Sequence, residues 1–312
     1  VVRTQQSVEK ILVENKKAYG IQLADGTKIL SKNVISNADP STTYLKLIGK
    51  ENISKSLAKK LENTKYSVTS LILFLTLDMD VTQFGIDSGN IWNFKSEDID
   101  AHFDTLTKGN ILEGDEFPAF FFSCTTLKDP VSFNGRYHNF EVVTYVNYDS
   151  FKEFNDLEDY HSPKYEAFKK RIIEKFLNSV EKIIPTAKNH IVQAELGTPK
   201  TNQFYVKTTN GNVYGTEKTL RQIGPFAYKS KTEFENLFLC GASTLSHGVT
   251  GATYSGITTA SKILNVSFDD LLVKEEGQKI RIFDAEDPST WDEFIHKKRE
   301  DKIRTFKEIK IN

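Results

Sequence analysis

A buried strand, a turn of small residues and a helix follow one another in residues 236–256, and no other stretch constrains this chain as tightly. Leu237 to Cys240 is a continuous apolar run, Gly241 to Thr244 are small or hydroxylated, and Gly248 and Gly251 precede a helical pattern. That order belongs to an α/β fold, in which a strand feeds a helix start and directs its free N–H groups at an electron-rich ligand. Small residues also serve plain close packing at such a corner, so the stretch alone names no ligand.

Elsewhere the pattern separates into blocks. Residues 8–13, 18–23 and 27–30 are short β-prone runs, and Asp25-Gly26 between the last two reads as a type I′ hairpin turn. A strand at 33–37 ends at Pro40, and 42–61 has helical spacing. Strong strands are predicted at 68–77, 119–125 and 141–148, joined by long polar connections. Ser162-Pro163 opens a helix whose apolar positions Tyr165, Phe168, Ile172, Phe176, Val180 and Ile184 run to Pro185. Lys169, Lys170 and Lys175 read as its solvated face. Asp287-Pro288 opens a last amphipathic helix. Residues 296–310 of that helix hold seven Lys/Arg against three Asp/Glu, suited either to packing on the body or to resting on an anionic membrane. Because an α/β pattern begun before Pro40 resumes after Phe234, the middle reads as an insertion. The expected organisation is 1–45 and 226–270 as parts of one domain, 46–225 as the inserted domain, and 271–312 as a tail.

Composition narrows the class. With 312 residues and a formal charge of -1, the chain can bury a large core and shows no electrostatic case for nucleic acid. Its 22 Phe and 12 Tyr suit an apolar cavity or a thick sheet core equally. Cys124 and Cys240 have no metal or redox spacing, the six histidines are scattered, and no metal site is expected. Two lone cysteines are most simply read as belonging to a reducing compartment, so the expected location is the cytoplasm, with the basic tail as the route to peripheral membrane contact; no apolar run reaches transmembrane length. The chain begins at Val1 as if within a sheet, its one Met being Met79, and is expected to be part of a longer protein.

Ser243 lacks a Gly-x-Ser-x-Gly frame, and the dinucleotide and Walker glycine fingerprints are absent. What remains is a turn able to aim the N–H groups of Val249, Thr250 and Gly251 at a ring oxygen or developing anion.

Three segments carry a resemblance. Val8 to Ile11 through Asp25-Gly26 to Ser36–Pro40, then Phe122 through Pro130 with Gly197–Tyr205 and Tyr214-Gly215, then Leu237–Gly256, occur in this order. Together they resemble the phytoene desaturase, carotenoid isomerase and retinol saturase family of flavoproteins, with the middle segment most similar to the retinol saturase branch. The resemblance implies part of a Rossmann-like FAD-binding domain interrupted by a mixed-sheet plus helix substrate domain. It also implies FAD, with Val8 near the adenine, Gly241 and Ala242 near the ribityl and phosphate portion, and Gly248, Val249, Thr250 and Gly251 under the flavin ring. His247, Thr201, Tyr205 and Tyr214 are the substrate-side candidates, although Ser246-His247-Gly248 replaces the His-Pro-Gly of many desaturases. The implied activity is hydride transfer to or from carbon–carbon bonds of a long apolar polyene. The implied partner is an N-terminal half of the same protein. A flavin-dependent cis–trans isomerase, an amine oxidase-type enzyme, and a cofactor-free lipid- or protein-binding fragment remain as alternatives.

Overall fold

The computed structural model describes residues 1–154, 162–272 and 281–309. Its strands are β1 (Val8–Glu14), β2 (Lys17–Leu23), β3 (Lys28–Leu30), β4 (Val34–Ser36), β5 (Thr69–Leu77), β6 (Asn90–Phe94), β7 (Ala119–Cys124), β8 (His138–Val146), β9 (Ile191–Gly197) and β10 (Leu237–Leu239). Its α-helices are α1 (Lys55–Glu62), α2 (Ile99–Lys108), α3 (Thr125–Lys128), α4 (Pro163–Val180), α5 (Pro199–Tyr205), α6 (Gly248–Leu264) and α7 (Glu293–Ile309). Two compact units form, one from Val1–Val68 with Asn202–Gly277 and the other from Thr69–Thr201 with Gln278–Asn312. The sequence pattern instead puts the inner boundaries at 45 and 225, and makes 271–312 a separate tail. Residues 273–280 and 310–312 of that tail lie outside the described residues.

In the first unit, β1, β2 and β3 form an antiparallel meander, and β4 pairs in parallel with β10. The type I′ turn is not at Asp25-Gly26. Asn15 and Lys16 both have positive φ, 48° and 62°, and these two residues close the β1–β2 hairpin as that turn requires. Between β2 and β3 only Gly26 has positive φ, and the Asp25 carboxylate accepts the Thr27 N–H at 2.8 Å to hold a longer loop. The helix expected at 42–61 is broken: a π-helical turn spans Thr42–Gly49, Gly49 turns left-handed (φ 96°), and α1 starts afresh with Ser54 as its cap. Ile11, Tyr44, Ile48, Leu61, Leu237 and Leu239 are buried in this unit's core.

In the second unit the sheet order is β6-β7-β8-β5-β9, antiparallel throughout. Alternation along β5 decides which face is filled: Leu71, Leu73, Leu75 and Leu77 are buried in one core with Ile172, Phe176 and Val180 of α4. Ser162 caps α4 by accepting the Tyr165 N–H, with Pro163 at the first position as the sequence pattern leads one to expect. Lys175 is a correction. It is buried, stands over the Phe117 ring at 4.7 Å, and donates to the carbonyls of Ile111 and Glu113 rather than facing water. Burial holds its pKa below the ordinary lysine value, with Lys95 adding to the effect. Asp287-Pro288 opens only a short 3₁₀ turn, and α7 begins five residues later. On α7, Phe306 meets Tyr137 edge-to-face at 5.3 Å, and Ile303 approaches Gly135.

Candidate functional site

The carboxyl ends of parallel strands are where an α/β sheet opens a crevice for ligands. β4 and β10 end side by side, and Cys240 N–H donates to Ser36 O at 3.0 Å. The chain then turns at Gly241, whose φ of 96° disfavours any side chain and whose Cβ would lie 2.1 Å from Asn37 Oδ1. A buried hydroxyl knot fixes this turn. Gly241 N–H donates to Ser255 Oγ at 2.9 Å, Thr244 Oγ1 donates to Gly241 O at 2.8 Å, and the two hydroxyls are 2.5 Å apart. Residues 212–218 brace the same turn from another side. Thr216 N–H donates to Ser243 Oγ at 3.2 Å, and Lys218 Nζ donates to Ala242 O at 2.7 Å. Burial lowers the Lys218 pKa.

α6 follows, with His247 as its cap residue, no side-chain hydrogen bond at the cap, and no acidic side chain in the first turn. Residues 245–250 are all exposed, and Val249, an apolar residue, is 87% exposed. Its glycines differ in cause. A Cβ on Gly251 would lie 2.6 Å from the Ser246 carbonyl carbon, so this glycine is required by packing within the protein. Gly248 has φ 74° and nothing within 4 Å of where a Cβ would stand, so its position is open. An uncapped helix start carries partial positive charge. This donor set fits an electron-rich planar ring or an anion laid against Gly248, Val249 and Thr250.

The other expected residues divide. Tyr214 and His247 come together, with ring centroids 4.8 Å apart at 41°. Tyr205 is exposed and rests edge-on against Phe204 at 4.9 Å. Thr201 belongs to the second unit, where its hydroxyl accepts the Thr198 N–H at 3.0 Å. Val8 opens β1 opposite Leu23, half-buried. Sequence reasoning passes over Asp39. One of its carboxylate oxygens accepts the Thr42 N–H at 2.8 Å and the other accepts the Thr209 N–H at 2.6 Å. Tyr66 OH lies 3.4 Å from the same carboxylate, and burial, helped by that charge, pushes the Tyr66 pKa far up.

In the second unit the open sheet face presents one continuous row. Trp92 pairs with Phe121, Phe121 with Val143, Val143 with Ile72, and Ile72 with Gly197, so these five residues cross all five strands on one face. The adjacent row, Ile91, Phe122, Val142, Leu73 and Leu196, faces the core. Trp92 is 59% exposed, with Phe121 at 5.1 Å edge-on and Phe94 stacked at 6.4 Å. β6 is not among the expected strands. Its signal is the alternation Ile91-Trp92-Asn93-Phe94, hidden because the larger rings point away from the core.

Comparison with known proteins adds the family. The model of flavin containing amine oxidoreductases matches residues 1–264. The chain belongs to that family. All-trans-retinol 13,14-reductase of Danio rerio is 27% identical over 277 residues, covering 85% of this chain and 46% of that protein. Chloroplastic prolycopene isomerase of Daucus carota is 26% identical over 268 residues, covering 84% and 40%. These are the branches to which the three sequence segments point. The chain spans less than half the length of these relatives. Among solved structures, a putrescine oxidase redesigned for cofactor binding superposes with TM-score 0.53 at 11% identity, covering 83% of this chain and 48% of that one. An oxidoreductase from Methanosarcina mazei superposes with TM-score 0.51 at 18% identity, covering 82% and 49%. Both likenesses concern the fold. Among the described residues, no helix is long and apolar enough to cross a membrane.

Proposed function

We propose that this chain supplies the closing part of an FAD site and the substrate-binding sheet of an oxidoreductase that adds hydrogen to, or removes it from, carbon–carbon bonds of a long apolar polyene. The open row of Trp92, Phe121, Val143 and Ile72 is the observation that carries the substrate class. The row itself carries no charged side chain and offers an apolar strip of the kind that desolvates a polyene, while the next row of the same face places Glu141 and Glu195 on either side of the exposed Phe74. Family membership and the uncapped, acid-free start of α6 support the cofactor.

In this reading Gly248, Val249 and Thr250 direct N–H groups at the electron-rich edge of the flavin ring, where the helix dipole favours added negative charge. Gly241 and Ala242 approach the ribityl and phosphate portion, and Val8 the adenine. When bound, FAD supplies hydride exchange at carbon. The protein's own part is to orient the ring, hold the Gly241 turn through Ser255 and Thr244, and exclude water. Tyr214 and His247 form a polar pair in the same unit as α6, suited to holding a terminal oxygen of the substrate. The relatives named as an all-trans-retinol 13,14-reductase and a prolycopene isomerase support both a saturase and an isomerase outcome.

The test uses the chain produced together with the N-terminal half that we propose completes the FAD site. Added FAD should raise its thermal transition and quench flavin fluorescence, and all-trans-retinol should quench Trp92 emission. Replacing Trp92 by Leu should remove most of that quenching, with Trp291 as the remaining emitter of the chain itself. Product mass then separates the outcomes: gain of two hydrogens marks a saturase, loss a desaturase, and no change with altered geometry an isomerase. A chain neither stabilised by FAD nor quenched by retinoid at Trp92 would sink the proposal.

A further inference from the structure

A second surface of the first unit is built unlike the flavin corner. A cleft of about 720 Å³ opens between the end of α1 and the loop 219–228, and Lys60, Lys65, Arg221, Leu220, Phe226 and Tyr228 shape it. No carboxylate lines it, and none of its three cations is in an ion pair among the described residues. The nearest acid on α1, Glu62, is turned to Lys50 at 3.0 Å. Residues 218–231 contain four Lys/Arg and no Asp or Glu.

The loop is held in shape. Gln222 Nε2 donates to the carbonyls of Lys65 and Glu217, each at 2.9 Å, and its Oε1 accepts the Lys65 N–H at 2.8 Å. Tyr228 OH is 2.5 Å from Thr64 Oγ1, and Lys60 lies over the Tyr228 ring at 4.3 Å while donating to Ala227 O. On this frame stand Leu220, 84% exposed, Phe226, 60% exposed, and Ile223, also exposed. Large apolar side chains fixed outward on a braced loop, beside cations with no carboxylate partner, match the composition that partitions into a bilayer interface.

We propose that this face docks on an anionic lipid bilayer, with Leu220, Ile223 and Phe226 entering the interface and the Lys60–Lys65–Arg221 cleft receiving phosphate headgroups. A nucleic acid would use the same cations, but aliphatic Leu220 and Ile223 offer bases nothing to stack on. The inference rests on this surface alone and stands or falls independently of the flavin and polyene assignments.

The experiment is vesicle co-sedimentation of the full 312-residue chain. Vesicles of phosphatidylcholine doped with phosphatidylserine should bind it, and pure phosphatidylcholine should bind it at least about tenfold more weakly. Leu220→Ser with Phe226→Ser, and separately Lys65→Gln with Arg221→Gln, should each lower anionic-vesicle binding about tenfold or more while the circular dichroism spectrum is unchanged. Phe226→Trp keeps a folded reporter: its emission should shift to the blue on anionic vesicles and not with inorganic phosphate alone. Neutralising Lys297, Lys298 and Lys302 on α7 to Gln should leave binding near that of the parent chain. No binding to anionic vesicles, binding that survives both loop variants, loss through the α7 variant instead, or displacement of vesicles by duplex DNA with higher affinity would overturn the proposal.

Discussion

Replacing Gly251 by Ala tests whether the start of α6 is set by packing against the preceding turn. In a helix the change normally stabilises by about 0.5–1 kcal/mol, because glycine loses more backbone freedom on folding. Here the new methyl would meet the Ser246 carbonyl carbon at 2.6 Å, its Cβ at 2.7 Å and its carbonyl oxygen at 2.8 Å. Unstrained carbon contacts lie at about 3.5–4 Å, so the overlap approaches an ångström, and it falls on backbone that no rotamer change can move. Overpacking of this kind costs about 1–3 kcal/mol, and a rigid neighbour places it at the upper end. The expected net effect is a loss of about 2 kcal/mol, or about 4–8 °C in the melting temperature of a unit this size. Gly256 lies on the same helix with no atom within 4 Å of where a Cβ would stand, so Gly256→Ala should instead stabilise by about 0.5–1 kcal/mol. Thermal melts followed by circular dichroism, with hydrogen exchange of α6 amides as the local readout, compare the two. If Gly251→Ala melts as high as Gly256→Ala, the packing argument fails.

Three further outcomes follow from the same reasoning. Ser255→Ala should cost about 1–3 kcal/mol by urea denaturation, because it strands the buried Gly241 N–H and removes one of the two hydrogen bonds of the Thr244 hydroxyl; a loss below about half a kcal/mol would mean the knot does not hold the turn. Lys175→Met should destabilise the second unit by about 1–3 kcal/mol through the orphaned carbonyls of Ile111 and Glu113, whereas a solvated lysine would tolerate the change. His138 is buried, with Nδ1 3.0 Å from Thr126 Oγ1, and burial lowers its pKa from 6.5 against a partial opposing pull from Asp80. Below 6.5 the unfolded chain therefore binds a proton that the folded chain does not, and stability falls as pH drops from 6.5 towards the folded value. His138→Gln should flatten that slope in urea midpoints measured across the window, and an unchanged slope would assign it to other groups.

What is legible in the sequence is what local pattern encodes. The leucines of β5 alternate, α4 announces itself with Ser162-Pro163, and the run from Leu237 through Gly251 contains its own strand, turn and helix start. What is not legible depends on partners distant in sequence. Lys175 sits one residue before Phe176, at the edge of the buried face, and the carbonyls that receive it, those of Ile111 and Glu113, lie far earlier in the chain. Asp25-Gly26 has the better turn composition, yet the strand ends put the two-residue hairpin at Asn15-Lys16. Trp92 and Phe94 defeat a search for buried strands because their rings lie on the face that the core does not use. The break at Gly49 requires knowing that Ser54 caps a new helix.

The glycines of the closing turn show why composition alone leaves the site open. Three of them look equivalent as letters, and each answers to a different physical demand. Gly241 needs a left-handed backbone beside Asn37, and Gly251 needs room against Ser246, so both would be required even in a protein with no ligand. Gly248 needs its backbone conformation but has empty space at its side, next to exposed N–H donors that no side chain caps. Only the last of these points outward. The case for a ligand at this corner therefore rests on Gly248, Val249 and Thr250, while Gly241 and Gly251 hold the geometry that presents them.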